Sequence, residues 1–110
     1  MDLTATILTA AGVPPSSDRR LDGIDLAPIL VAARPEIERT FFWRVTVQGR
    51  QDKAVRNGRW KYVSGSRFPG LLFDLGSDPT ERLDLAYRQP EMLAKLKAMH
   101  AEWERDVARR

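Results

Sequence analysis

The chain contains no cysteine and a single histidine, His100. The first absence excludes disulfides, thiolate nucleophiles and Cys-based zinc sites, and it leaves the redox compartment open. The second leaves no histidine pair to hold a metal. No apolar run approaches the ~20 residues of a membrane-spanning helix, and the N-terminus lacks the basic-then-apolar layout of a signal peptide. The expectation is therefore a soluble chain with no membrane partner and an unspecified localisation. An excess of one charge is also lacking. The 18 Lys and Arg stand against 15 Asp and Glu, for a net charge of +3, and they are scattered along the chain. Scatter of this kind argues against nucleic acid as the partner. Length is not in short supply: 110 residues suffice for one domain, which buries roughly 60–70% of the surface its unfolded form exposes and needs no staple.

What is present is organised around Ala54-Val55-Arg56-Asn57-Gly58-Arg59-Trp60-Lys61-Tyr62-Val63. Two β-prone runs flank Asn-Gly, the dipeptide that favours a type I′ hairpin turn. With Asn57-Gly58 as the whole loop, Arg56 faces Arg59, Val55 faces Trp60, Ala54 faces Lys61 and Lys53 faces Tyr62. One face then carries Val55, Trp60 and Tyr62. The other is basic and should recruit carboxylates from Asp74, Asp78 and Glu81.

Taken in order, Asp2 is placed to N-cap a helix whose apolar residues Leu3, Ile7, Leu8 and Ala11 recur at helical spacing, with Gly12 as its αL stop. Pro14-Pro15 forbids continuation, and Ser16 to Arg20 reads as a polar loop. Leu21-Asp22-Gly23-Ile24 is a turn. Asp25 caps a short helix over Leu26, Ile29 and Leu30, with Pro28 in its first turn. Arg34-Pro35-Glu36 reads as a linker. Phe41 to Val47 is rich in aromatic and β-branched residues and predicts a strand with Phe41, Trp43, Val45 and Val47 on one face. Gln48 to Asp52 is a connection, Ser64 to Gly70 a loop, and Leu71 to Leu75 a further strand. Asp78 with Glu81 has capping-box spacing, with Pro79 between, and predicts one short turn. From Pro90 onward, Leu93, Leu96, His100, Trp103 and Val107, joined by Met92 and Met99, form an apolar stripe, with Arg109 and Arg110 at the C-terminal dipole. The expected fold class is α+β: a four-stranded antiparallel sheet packed against a long C-terminal helix, preceded by a helical N-terminal segment.

Few residues suggest chemistry. His100 sits on the helix stripe and reads as a packing residue. Asp74, Asp78, Glu81 and Asp84 lack the spacing of a calcium loop, and capping plus pairing with Arg56 and Arg59 accounts for them. Ser64 and Ser66 have no adjacent base. Phe41-Phe42-Trp43 beside Arg44 could stack on a ring, although alternating aromatics in a strand read first as core. No catalytic residue and no metal ligand is assigned.

The succession Asp2-Leu3 through Ala11-Gly12-Val13-Pro14, Leu21-Asp22-Gly23 with Leu26, Pro28 and Leu30, Ala54-Val55-Arg56 with Gly58, Trp60-Lys61-Tyr62, and Leu72-Phe73-Asp74-Leu75 with Asp78-Pro79, Glu81 and Leu85-Ala86 resembles the C-terminal end of the sulfatase family. Two departures are small: Phe73 stands where that family often has Tyr, and Asp84 where it often has Asn. The resemblance implies a portion of the alkaline-phosphatase-like superfamily. Residues 1–38 would be a helical segment closing a catalytic domain absent from this sequence, and residues 39–110 the C-terminal subdomain. It implies formylglycine and a calcium-type divalent cation for a full-length family member. Neither carries over: Cys/Ser-x-Pro-x-Arg does not occur in these residues, and the resemblance places the family's metal ligands upstream of the helix that begins at Asp2. The expected role is structural support and the rim of a substrate pocket, without activity of its own. Trp43, Arg44 and Arg50 are the candidate substrate-binding residues, since Arg pairs with sulfate or carboxylate and Trp stacks on a ring. The expected partners are the catalytic sulfatase domain and, for the isolated chain, a second copy in a homodimer, because Leu3, Ile7 and Leu8 lack a covering surface. The alternative is an independent basic binding or oligomerisation module for an acidic partner.

Overall fold

The computed structural model describes residues 1–14, 21–31 and 38–109. The polar stretch Ser16 to Arg20, the Arg34-Pro35-Glu36 linker and Arg110 lie outside the described residues. The chain divides into two units, Met1–Ile37 and Glu38–Arg110.

In the first unit, α1 (Asp2–Ala10) ends in a Schellman motif. The Val13 N–H donates to the Leu8 carbonyl at 2.9 Å and the Gly12 N–H to that of Thr9 at 3.0 Å. Gly12 takes the required left-handed conformation at φ +68°. The start differs from expectation. Met1 is the N-cap and Asp2 the first helical residue. The Asp2 carboxylate accepts instead from the Ile24 N–H at 3.1 Å. Thr6 Oγ1 accepts from the Leu26 N–H at 2.9 Å while donating to the Asp2 carbonyl at 2.8 Å. These two side chains fasten the 21–26 segment to α1. Gly23 lies so close that a Cβ there would stand 2.3 Å from the Met1 carbonyl oxygen. The short helix α2 (Ala27–Leu30) follows, with Pro28 in its first turn and the Asp25 carboxylate accepting from the Ala27 N–H at 2.9 Å. Ala5 is the buried residue of α1, whereas Leu3 and Ile7 are 70% and 65% exposed.

The second unit is an antiparallel meander, β1 (Thr40–Val47), β2 (Arg50–Asn57), β3 (Trp60–Gly65) and β4 (Phe68–Asp74), paired in chain order. The 18-residue helix α3 (Pro90–Val107) follows, begun by Pro90. This is the expected α+β arrangement. The turns are not where composition put them. Gln48 and Gly49, both at positive φ, close β1 onto β2 with Val47 opposite Arg50, so the expected connection to Asp52 is mostly strand. A glutamine in the left-handed region carries no sequence signal.

The central hairpin turns on Gly58-Arg59, with Asn57 opposite Trp60 and Val55 opposite Tyr62. Only Gly58 has positive φ among the two turn residues, the type II′ pattern rather than I′. Asn57 stays in the ladder because its amide donates to Thr40 Oγ1 on β1 at 2.7 Å. Moving the turn by one residue shifts each partner by two, so Val55, Trp60 and Tyr62 still share a face. β4 begins at Phe68, three residues before the expected Leu71, after a two-residue loop at Ser66-Arg67 and an irregularity between Val63 and Gly65.

Phe42, Val55, Tyr62 and Leu72 form one row across all four strands. Val55, Tyr62 and Leu72 pack with Leu96 of α3 as the buried core, flanked by Phe42, Trp60, Met92, Leu93 and Met99. Each fully buried aliphatic side chain is worth roughly 1.5–3 kcal/mol. Phe42, and not Trp43, is the aromatic that β1 gives to this core. Phe41, Trp43, Val45 and Val47 do alternate onto one face, but it is the face away from this row, and Trp43 is 46% exposed. The outer edge of β4 is covered by the following segment: the Leu72 N–H donates to Asp84 Oδ1 at 3.0 Å, and the Leu85 N–H to the Leu72 carbonyl at 2.8 Å. An asparagine Oδ1 could accept equally well at position 84, and Phe73, buried without a hydroxyl to satisfy, makes the other departure equally mild.

Candidate functional site

The candidates Trp43 and Arg44 are consecutive in a strand, and the period of two sends them to opposite faces. Trp43 stacks on Phe41, ring centroids 6.0 Å apart. Arg44 turns toward α3, where its guanidinium lies 3.7 Å from Glu104 and 5.9 Å from the Trp103 ring centroid. Arg50 opens β2 opposite Val47, on the same face as Trp43. The three therefore do not converge on one ligand.

Arg50 instead has company from elsewhere. In a four-stranded meander the first and third hairpin tips lie at the same end of the sheet, and here a groove of about 360 Å³ runs between them. Val47, Gln48, Arg50 and Asp52 line it from the β1–β2 hairpin, and Ser66, Arg67 and Phe68 from the β3–β4 hairpin. Neither Arg50 nor Arg67 enters an ion pair among the described residues. The Asp52 carboxylate lies against Gly65, where a Cβ would stand 2.2 Å from its Oδ1. Sequence reasoning missed Arg67, Asp52 and Phe68. The available signal was an arginine inside a Ser/Gly/Pro-bearing loop, and only the pairing of strands shows which other loop it meets.

Other charged side chains pair with one another on the sheet and α3. The Lys53 ammonium is 2.8 Å from Glu104, and His100 Nδ1 is 3.4 Å from it. The hydrogen bond from Lys53 holds the Glu104 carboxyl below its usual value, against the opposing effect of burial, and the positive charges of Lys53 and Arg44 add to it. His100 is buried beside Phe42 and Trp103, whose rings stack 5.3 Å apart. Arg59 donates to both oxygens of Asp74, which also accepts from the Gly76 N–H at 3.1 Å. The Arg59 bond is the chief cause of a depressed Asp74 pKa and raises that of Arg59. Asp78 Oδ2 accepts from the Leu83 and Arg82 N–H groups at 2.8 and 2.7 Å, which lowers its pKa, Leu83 most. The expected turn is present at Pro79-Thr80, without the capping box: Glu81 adopts φ +56° and reaches Lys61 at 2.6 Å. Among the described residues no group of three or more His, Asp or Glu could hold a metal ion.

No family model matches the chain. It is 29% identical over 128 residues to N-acetylgalactosamine-6-sulfatase of Sus scrofa, an alignment covering 88% of this chain and 24% of that protein. It is 31% identical over 87 residues to choline-sulfatase of Rhizobium meliloti (strain 1021), covering 78% of this chain and 17% of that protein. The solved structure of a 2-O GAG sulfatase superposes with a TM-score of 0.71 at 26% identity, over 93% of this chain and 23% of the other. The chain thus spans about a quarter or less of the length of the relatives it matches.

Proposed function

This chain belongs to the sulfatase family, and from that premise we propose that it forms the C-terminal portion of a sulfuric ester hydrolase. In this reading it supports a catalytic sulfatase domain, contributes the rim of the substrate pocket, and is inactive alone. The observation that carries it is the disproportion of the matches, which take in nearly all of this chain and less than a quarter of the 2-O GAG sulfatase.

Formylglycine and a calcium-type cation do not fit these residues. The chain has no Cys/Ser-x-Pro-x-Arg sequence. Asp74, Asp78, Glu81 and Asp84 are each engaged by arginine, lysine or backbone N–H groups. Within the rim, Arg50 is the binding candidate and Trp43 a stacking surface on the same face, whereas Arg44 serves Glu104 and Trp103.

The test has two parts. The isolated chain should not turn over an aryl sulfate above buffer, and micromolar calcium should not raise its melting temperature. The coding DNA immediately upstream should carry an open frame with Cys/Ser-x-Pro-x-Arg. Turnover by the chain alone, or an upstream frame without that motif, would overturn the reading. The latter result would favour an independent basic module for an acidic partner, which the two unpaired arginines of the groove also suit.

A further inference from the structure

We propose that the groove between the β1–β2 and β3–β4 hairpins binds an anionic saccharide, with Arg50 and Arg67 holding its sulfate or carboxylate substituent. The substrate class rests on the reading above, whereas the residues come from the geometry alone. Two arginines from separate hairpins line one groove, and neither is neutralised by an ion pair among the described residues. A guanidinium presents forked N–H donors that match two oxygens of a sulfate or carboxylate. Two of them on one concave surface favour an anion over a neutral ligand.

The rest of the lining suits a sugar ring better than a bare anion. The groove, at about 360 Å³, falls within the size range of small-ligand sites, roughly 300–1,000 Å³. An inorganic sulfate would leave most of it empty. Phe68 and Val47 offer apolar surface to the C–H face of a ring, while Gln48, Ser66 and Asp52 supply donors and acceptors for hydroxyls. The Asp52 carboxylate is the one feature that opposes an anion. It is set against Gly65, which lacks the Cβ that would block it, and two guanidinium charges outweigh one carboxylate. A nucleic acid would need a longer track of cations than two arginines provide.

The test titrates the 110-residue chain with three probes: N-acetylgalactosamine 6-sulfate, N-acetylgalactosamine and sodium sulfate. Nuclear magnetic resonance shift changes with the sulfated sugar should saturate and centre on residues 47–52 and 66–68. The neutral sugar should not bind, and inorganic sulfate should bind about tenfold more weakly. Arg50→Gln and Arg67→Gln should each weaken the sulfated sugar by about tenfold. Arg56→Gln, near the opposite hairpin tip, should leave it unchanged. Phe68→Ala should weaken the sugar and spare inorganic sulfate. The proposal is overturned if the wild-type chain does not saturate, if Arg56→Gln matters as much as Arg67→Gln, or if a single-stranded oligonucleotide binds more tightly than the sulfated sugar. Failure here leaves the family parentage intact, and an upstream frame without the nucleophile motif leaves the groove intact, so the two can fail separately.

Discussion

Arg59 and Asp74 close the far end of the sheet as a fork: the guanidinium of the β2–β3 turn donates to both carboxylate oxygens at the end of β4. The backbone repeats the link, since the Leu75 N–H donates to the Arg59 carbonyl at 2.7 Å. Gly76 packs on this fork, where a Cβ would stand 3.0 Å from Arg59 Nε. The turn residue that composition placed inside the ladder is thus held outside it by a partner fifteen residues away.

The fork makes stability depend on acid pH. Asp74, Asp78 and Glu104 all have folded pKa values below their unfolded ones, so their contribution is complete above about pH 5 and is lost as pH falls through the folded values. Asp74→Asn should melt lower than wild type at pH 7, and the gap should narrow as pH falls below 4. Parallel melting-temperature profiles for the two proteins would show that Asp74 is merely solvated.

Leu96 is the side chain through which α3 joins the core row. Leu96→Ala should cost about 2–5 kcal/mol in urea unfolding. Tyr87→Ala, at a side chain 96% exposed, should change stability by no more than about 0.5 kcal/mol. Similar values for the two would mean that α3 is not docked on the sheet.

Gly58 holds φ +55° at the central turn. Gly58→Ala should destabilise by about 1–2 kcal/mol, the cost of placing a Cβ in the left-handed region. Unfolding midpoints of the two proteins at equal m-value provide the measurement. An unchanged midpoint would indicate that the turn relocates to Asn57.

Leu3 and Ile7 remain exposed on α1, and burying each is worth roughly 1.5–3 kcal/mol. The isolated chain should therefore self-associate, most simply as a two-fold dimer. Light scattering across a concentration series should approach twice the chain mass, and Leu3→Glu with Ile7→Glu, or deletion of residues 1–33, should return it to monomer. A monomer at all concentrations would refute the pairing.

The sequence alone determined which residues share a face, because the periods of two and 3.6 are local properties of the backbone. Val55, Trp60 and Tyr62, the α3 stripe through Leu96 and His100, and the Gly12 stop were all legible on that basis. Glu81 and Asp74 could also be matched to a basic hairpin, whereas Asp78, named with them, instead accepts from the Arg82 and Leu83 N–H groups. Only the tertiary structure decided register and site. Asn57 is kept in its strand by Thr40, seventeen residues earlier, and no local preference encodes that bond. Arg50 and Arg67 are brought to one groove by an antiparallel meander that sets alternate hairpin tips side by side. Their neighbourhood is a consequence of strand pairing, which acts across distances that a pattern read along the chain does not span.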